Sequence, residues 1–317
     1  MPAQTSDRLL NRAIRIPQPR ALRVALGRPY LRMNAWIWNR LPASWRSKRS
    51  LRGYGAHVHR LIQMRERNQA TGTFFFRNRP ELELLVRQLN QFPPGSTIHM
   101  AVLGCSKGAE VYSFSYVIRT KRPDLQLSIC GLDISREVLQ MAETGTYPLD
   151  GMEPSQDVGF RSIFERMSSA EMEALFEQDG KNASVRPRFR DGIIWRLGDA
   201  GDPNLVGDLG LQDVVVANRF LCHMPPADAE ACLRNLARLV KPGGRLFVSG
   251  VDLAVRTKVA SERGWRPVTD LIEEIHEGDP TLRRDWPLHY WGLEPFDRTR
   301  EDWEVRYASV FRLPERA

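Results

Sequence analysis

"AVLGCSKGAEVYSF", residues 101–114, decides how the chain is read. An apolar run ends at Leu103, glycines follow at 104 and 108, and a helical pattern begins at Ala109. A strand joined to a helix by a glycine turn opens a parallel sheet, and such a turn lets a ligand approach the backbone. The alternation continues on both sides. "PPGSTIHMAVLG" (93–104) gives a turn and the first strand. "LQLSICGLD" (125–133) reads as a second strand, and "SREVLQMAETGTY" (135–147) as a helix with Ser135 as N-cap. "SSAEMEALFEQDG" (168–180) is a helix capped by Ser168 or Ser169, with Glu171 behind. "GIIWRLGD" (192–199) is a strand after an Asp191-Gly192 turn, and "QDVVVANRFL" (212–221) a strand of the fully buried kind. "PADAEACLRNLARLVKPGG" (226–244) is a helix stopped by Pro242-Gly243-Gly244, and "RLFVSGVD" (245–252) the next strand. "HYWGLEPF" (289–296) and "EVRYASVFRL" (304–313) read as a late antiparallel pair. Upstream, "GAHVHRLIQMRERNQ" (55–69) and "RPELELLVRQLNQF" (79–92) read as helices, the second with Leu82, Leu85 and Leu89 on one face.

Strands alternating with helices predict an α/β fold: a Rossmann-like, mostly parallel, doubly wound sheet with an antiparallel strand pair at the C-terminus. Three parts are expected: a basic Trp/Arg-rich arm (1–50), a short helical segment carrying TFFFR (51–92), and the main α/β domain (93–317).

Composition sets bounds. The 317 residues are 42% hydrophobic and 26% charged, as in a globular protein. Cys105, Cys130, Cys222 and Cys232 form no CxxC pair, so neither a disulfide framework nor a metal site is expected. No apolar stretch is long enough to span a bilayer and no secretory signal stands out, so the protein is expected in the cytoplasm. The net charge of +8 is concentrated in the arm, where residues 1–50 hold eleven Lys and Arg against one acid, Asp7. A nucleic-acid enzyme would spread basic residues around its cleft, and no nucleic-acid partner is expected. The arm either meets an anionic surface or packs on the body through Trp36, Trp38 and Trp45.

The chemistry centres on the glycine turn. Gly104 lets the chain turn beside a ligand, and Gly108 lets the helix start close to the strand. Glu110 lies in the first helical turn, where a carboxylate would repel a pyrophosphate. The pattern is also not GxGxxG. A cationic ligand with a ribose fits better, and S-adenosylmethionine carries a sulfonium, an ammonium and two ribose hydroxyls. Asp133 ends the second strand, where an acid can accept from both hydroxyls; it would serve equally as a helix cap. Asp199 ends the third strand and suits the adenine amino group, or is a loop acid. Asn218 and Arg219 end the buried strand, where the reactive end of the cofactor and the acceptor should meet. A tight strand–helix turn without any ligand would share the GxxxG signature.

With these stretches in place the chain resembles the CheR family of S-adenosylmethionine-dependent methyltransferases, whose founding members methylate glutamate carboxylates on bacterial chemoreceptors. The matching segments are "TFFFRN" (73–78), "LGCSKGAEVYSFSYVI" (103–118), "GLDISREVLQMAETGTYPL" (131–149), "DVVVANRFLCHM" (213–224) and "LVKPGGRLFVSG" (239–250), in the family's order. The resemblance implies a class I methyltransferase domain. It implies cofactor contacts at Thr73, Arg77, Glu110 and Asp133, with Asp199 where the family often has asparagine. The chain departs from the family where C-R-N-V-L-I-Y-F becomes A-N-R-F-L-C-H-M: Asn218 and Arg219 stand in swapped order and His223 replaces a tyrosine near the methyl-transfer site. "SVRPRFRDGIIW" (184–195) allows only a small hairpin where chemoreceptor methyltransferases carry a receptor-docking subdomain.

Arg77 is expected to orient an acceptor carboxylate or to hold the cofactor's own carboxylate. His223 is expected to form a hydrogen-bonding wall, or to act as a base toward a hydroxyl. The methyl acceptor is a protein carboxylate or a small molecule. A small-molecule O-methyltransferase and a non-catalytic cofactor-binding module stay open as alternatives.

Overall fold

The computed structural model describes residues 33, 36–37, 40–42, 45, 71–155, 159–278, 294 and 296–315. The chain divides into two compact units, Met1–Tyr54 and Gly55–Ala317. In the first, the Arg40 guanidinium lies 3.9 Å from the centre of the exposed Trp36 ring. The helix expected over 55–69 falls outside the described residues.

The second unit is built on a seven-stranded sheet. Helix α1 (Arg79–Leu89) precedes β1 (Thr97–Leu103), α2 (Ala109–Lys121), β2 (Gln126–Asp133) and α3 (Arg136–Thr144). Strands β3 (Thr146–Pro148), β4 (Met152–Ser155) and β5 (Gly159–Ser162) lead to α4 (Ser169–Leu175), β6 (Phe176–Asp179), β7 (Asn182–Val185) and α5 (Pro187–Arg190). Then come β8 (Ile193–Leu197), α6 (Leu205–Leu209), β9 (Gln212–Asn218), α7 (Pro226–Leu236), β10 (Val240–Ser249), α8 (Leu253–Glu262), β11 (Arg266–Pro267), α9 (Ile272–Glu277), α10 (Trp303–Tyr307) and β12 (Val310–Arg312). The sheet order is β11-β12-β10-β9-β1-β2-β8, parallel from β10 to β8, with β12 antiparallel to both β10 and β11.

All seven residues of β9 are buried. A strand of this kind needs cover on both faces, which is the doubly wound arrangement. The direction of winding reverses between β1 and β9, so a crevice opens at their carboxyl ends. On α1, Leu82, Leu85 and Leu89 are buried as their spacing predicted. Ser168 caps α4 in a capping box with Glu171. Ser168→Ala is expected to lower stability by about 1 kcal/mol in denaturant unfolding, the usual worth of such a cap.

Several expectations need correction. Ser135 does occupy the N-cap of α3, but its side chain makes no capping bond; the Asp133 carboxylate accepts from the Ser135 N–H instead. The helix before the Pro-Gly-Gly segment ends at Leu236. That segment lies inside β10, where the register with β9 shifts between Val240 and Arg245. A bulge tolerates a proline that a regular ladder would not.

The small hairpin is larger and starts earlier than expected. The helix expected over 168–180 stops at Leu175, strands β6 and β7 turn at Gly180-Lys181, and β3 adds a third strand along β7. Pro187 begins the short α5 because its fixed φ suits a first helical position.

The late antiparallel pair is β11 with β12. Of the stretch expected to partner it, 289–293 and 295 lie outside the described residues, and Glu294 and Phe296 are not in a strand. Glu294 is buried, accepting two bonds from Arg306 at 2.6 and 2.9 Å and one from the Tyr307 hydroxyl at 3.0 Å. Those partners come from α10, which replaces the first half of the expected last strand.

Candidate functional site

An open cleft of about 120 Å³ lies at the carboxyl ends of β1, β2, β8 and β9. Thr73, Arg77, Gly104, Glu110, Asp133, Asp199, Asn218, Arg219 and His223 all line it. Gly108 does not. It begins α2 at φ +84°, and a Cβ there would lie 2.8 Å from Trp195 and 2.9 Å from the Ala142 methyl. Its part is to seat α2 against β8 and α3.

The Thr73–Arg77 strap is fixed by its aromatic residues. Phe75 is fully buried, stacked on Phe164 at 5.7 Å and edge-on to Tyr147 and Phe176 at 5.2 and 5.1 Å. Phe76 packs edge-on to Tyr116 at 5.4 Å and takes a left-handed φ of +52°. A non-glycine residue is uncommon there. The Phe76 N–H, donating to the Ser113 hydroxyl at 3.0 Å, helps hold that conformation. The result turns Arg77 into the cleft, with its guanidinium 5.6 Å from the Phe74 ring centre.

The glycine turn is tied down by Asp133. Its Oδ2 accepts from the Ser106 N–H at 2.8 Å and its Oδ1 from the Ser135 N–H at 3.0 Å. Each carboxylate oxygen has a second lone pair, so capacity remains for a ligand hydroxyl. The Ser106 hydroxyl donates to the Thr71 carbonyl at 2.7 Å, joining the turn to the strap. Gly104 takes φ +67°, and a Cβ there would lie 2.8 Å from the Phe220 ring, so both the backbone and the space call for glycine. Beyond Asp133, Ile134 lines the cleft with 43% of its surface exposed, an apolar face suited to a flat ring. Asp199 accepts from the Gly201 N–H at 2.8 Å.

At the inner end two acids share one amide. The Asn218 Nδ2 donates to Glu110 Oε1 at 2.8 Å and to Glu81 Oε1 at 2.6 Å. Asn218 Oδ1 accepts from the Ser249 N–H at 3.1 Å and the Ser249 hydroxyl at 2.8 Å. Burial pushes the Glu81 carboxyl up to about 7, helped by the nearby Glu110 charge and opposed by Asn218, Arg219 and Arg77. Burial also raises Glu110, against Asn218, Arg77 and Arg219. Arg219 sits at φ +62°, its N–H bonded to the Ser249 carbonyl at 2.9 Å.

His223 ends a short 3-10 turn (Leu221–His223) on the same wall. Burial and the Arg77 charge lower its pKa below the ordinary histidine value. The ring is therefore neutral at pH 7 and keeps a lone pair.

Apart from Gly108, the residues expected from the sequence line the cleft; the reading missed Ser106 and Phe220 in its wall and Glu81 and Ser249 in the side cavity. Glu81 carried a misleading signal, because an acid in the first turn of an amphipathic helix reads as a solvent-facing complement to the helix dipole. Ser249 stands at the end of β10 as Asn218 stands at the end of β9, and the two are in register. That position was the available clue.

The residues fit S-adenosylmethionine by their chemistry. Acids at Glu110, Asp133 and Asp199 suit an ammonium, a ribose and an amino group. The description "CheR methyltransferase, SAM binding domain" matches residues 71–260, more than half of the chain. The probable biofilm formation methyltransferase WspC of Pseudomonas putida is 25% identical over 216 residues, covering 65% of this chain and 47% of that protein. The chemotaxis protein methyltransferase Cher2 of the same organism is 25% identical over 191 residues, covering 57% of this chain and 65% of that one. The chain thus spans less than two thirds of the length of either relative. Among solved structures, the magnesium protoporphyrin IX methyltransferase of Synechocystis with bound S-adenosylmethionine is 16% identical, with a TM-score of 0.33 over 59% of this chain and 69% of that one.

Proposed function

The chain belongs to the CheR family of S-adenosylmethionine-dependent methyltransferases, and on that premise we propose that it transfers the methyl group to a carboxylate oxygen of its acceptor, a protein glutamate by resemblance. The observation that carries this reading is the division of charge in one cleft. Acids at Glu110, Asp133 and Asp199 suit the cationic cofactor, whereas Arg77 and Arg219 suit an anionic acceptor.

The bound cofactor supplies an electrophilic methyl on a sulfonium. Transfer to an acceptor carboxylate would exchange the S–CH₃ bond for an O–CH₃ bond and would leave a neutral thioether and a methyl ester. No proton moves, because a carboxylate is already ionised at pH 7. The chain's task is alignment and exclusion of water. Thr73, Glu110 and Asp133 hold the cofactor, Asp199 faces its adenine, and Arg77 and Arg219 orient the acceptor carboxylate. His223 closes the wall beside them. We assign this chemistry to 93–317 together with the 51–92 segment that carries TFFFR. Contact of the 1–50 arm with an anionic surface is part of the same proposal, supported by Arg40 stacked on the exposed Trp36.

The neutral ring of His223 favours one second reading, a hydroxyl acceptor with the imidazole as base. Product chemistry and one variant separate the two. With labelled S-adenosylmethionine and an acidic protein acceptor, a methyl ester releases methanol in mild alkali, whereas an ether does not. With a carboxylate acceptor, His223→Tyr is expected to keep turnover within about tenfold. Loss of a general base would cost roughly a hundredfold or more. An alkali-stable product together with collapse of His223→Tyr turnover would replace the carboxylate reading by the hydroxyl one.

A further inference from the structure

The position of Glu81 goes beyond what cofactor contact requires. It is 4% exposed and lies on α1, none of whose residues lines the cleft. A side cavity of about 20 Å³ is lined by both Glu81 and Glu110, with Ser113, Asn218 and Ser249 beside them. That is space for about one water molecule with several polar partners. The two hydrogens of the Asn218 amide are divided between the two carboxylates, and its oxygen is taken by Ser249. Among the described residues, the charged groups facing Glu81 are Glu110 from α2, Arg219 from the end of β9 and Arg77 from the strap. Arg77 also acts on His223, whose proton affinity its charge lowers.

We propose that Glu81 is a positioning residue of the cofactor site. Through the amide it shares with Glu110, it fixes the Glu110 carboxylate. The two acids hold one proton while no cation is near and release it to solvent when the cationic cofactor binds. This rests on the reading that Glu110 faces the cofactor's ammonium.

The physical basis is pairwise. Two buried carboxylates on one amide repel each other when both are charged, so one proton is retained. S-adenosylmethionine brings two positive groups and one negative group next to the pair. The full second negative charge is then favourable, and the proton leaves. The direction of the Glu81 shift, up to about 7, agrees with this order of events.

The sign follows for stability as well. A carboxyl whose folded value is raised stabilises the fold fully below the ordinary carboxylate range and loses that contribution as pH rises through about 7. Cofactor binding offsets the loss, so its stabilising effect grows with pH across that window.

The test is calorimetry of S-adenosylmethionine binding to the full chain at about pH 6.5, where an α-amino group is still protonated. Buffers of low and high ionisation enthalpy are compared, and the buffer dependence of the heat counts the protons. The wild type is expected to release roughly half a proton or more. Glu81→Gln keeps the amide bond to Asn218, so it should bind and release close to none. Thermal shifts of the wild type give a second readout: the increase in Tm on adding S-adenosylmethionine should be larger at about pH 7 than at about pH 5.5. Binding without proton release in the wild type, or equal release by Glu81→Gln, overturns the role of Glu81 and leaves the cofactor reading standing. A thermal shift that is flat or falls with pH also counts against it. Absence of any binding heat in the folded wild type overturns the cofactor reading and this inference together.

Discussion

Asp133→Ala is expected to lower affinity for S-adenosylhomocysteine about 100-fold, or about 2.7 kcal/mol. Three losses combine. The Ser106 N–H loses its acceptor at 2.8 Å, the Ser135 N–H loses its acceptor at 3.0 Å, and the ribose loses its carboxylate. Hydrogen bonds to a charged group are each worth about 1.5–3 kcal/mol, and some of that is recovered by water at this half-buried position. Asp133→Asn keeps one oxygen acceptor and should fall between. Calorimetry on the folded variants decides it. Binding by Asp133→Ala within about threefold of wild type would remove Asp133 from the cofactor site and leave it as a cap for the two loops.

Arg77→Ala is expected to reduce turnover by about two to three orders of magnitude, the scale found when one partner of a buried charge pair is truncated. Arg77 is the point where the two halves of the site meet. Its charge opposes the upward shift of Glu81 and Glu110 and pushes His223 down. Without it both acids move further up and His223 moves back toward its ordinary value. Cofactor binding should then need a higher pH, and the pH profile of kcat/KM should shift to the alkaline side. Arg77→Lys restores the charge without the planar fork, so it should recover the pH profile better than the rate. Turnover by Arg77→Ala within about tenfold of wild type, with an unmoved profile, would exclude the guanidinium from acceptor orientation.

Both expectations rest on residues visible in the sequence, and the reason is local. A glycine turn after an apolar run, an acid at the next strand end and an arginine after three phenylalanines are short-range signals. Each depends on a few neighbours in the chain and not on what packs beside it. The capping box at Ser168 is of the same kind, four residues that satisfy each other. The errors arose where a segment had a choice of partners. The Pro-Gly-Gly stretch reads as a stop, yet β9 offers a ladder that absorbs it as a bulge. The last strand begins at Val310 because the residues before it form α10 and hold Glu294.

Sequence alone therefore determined the alternation of strands and helices and most of the named residues that line the cleft. Each follows from periodicity and turn chemistry within a few neighbours. Only the tertiary structure decided the ionisation of the site. Glu81 and Asn218 stand 137 residues apart, and Glu110 lies 108 residues from that same asparagine. No local pattern distinguishes an acid on a wet helix face from one packed against a second acid. Burial and the distance to the nearest charge set a carboxyl's proton affinity, and both exist only once α1, α2 and β9 have come together.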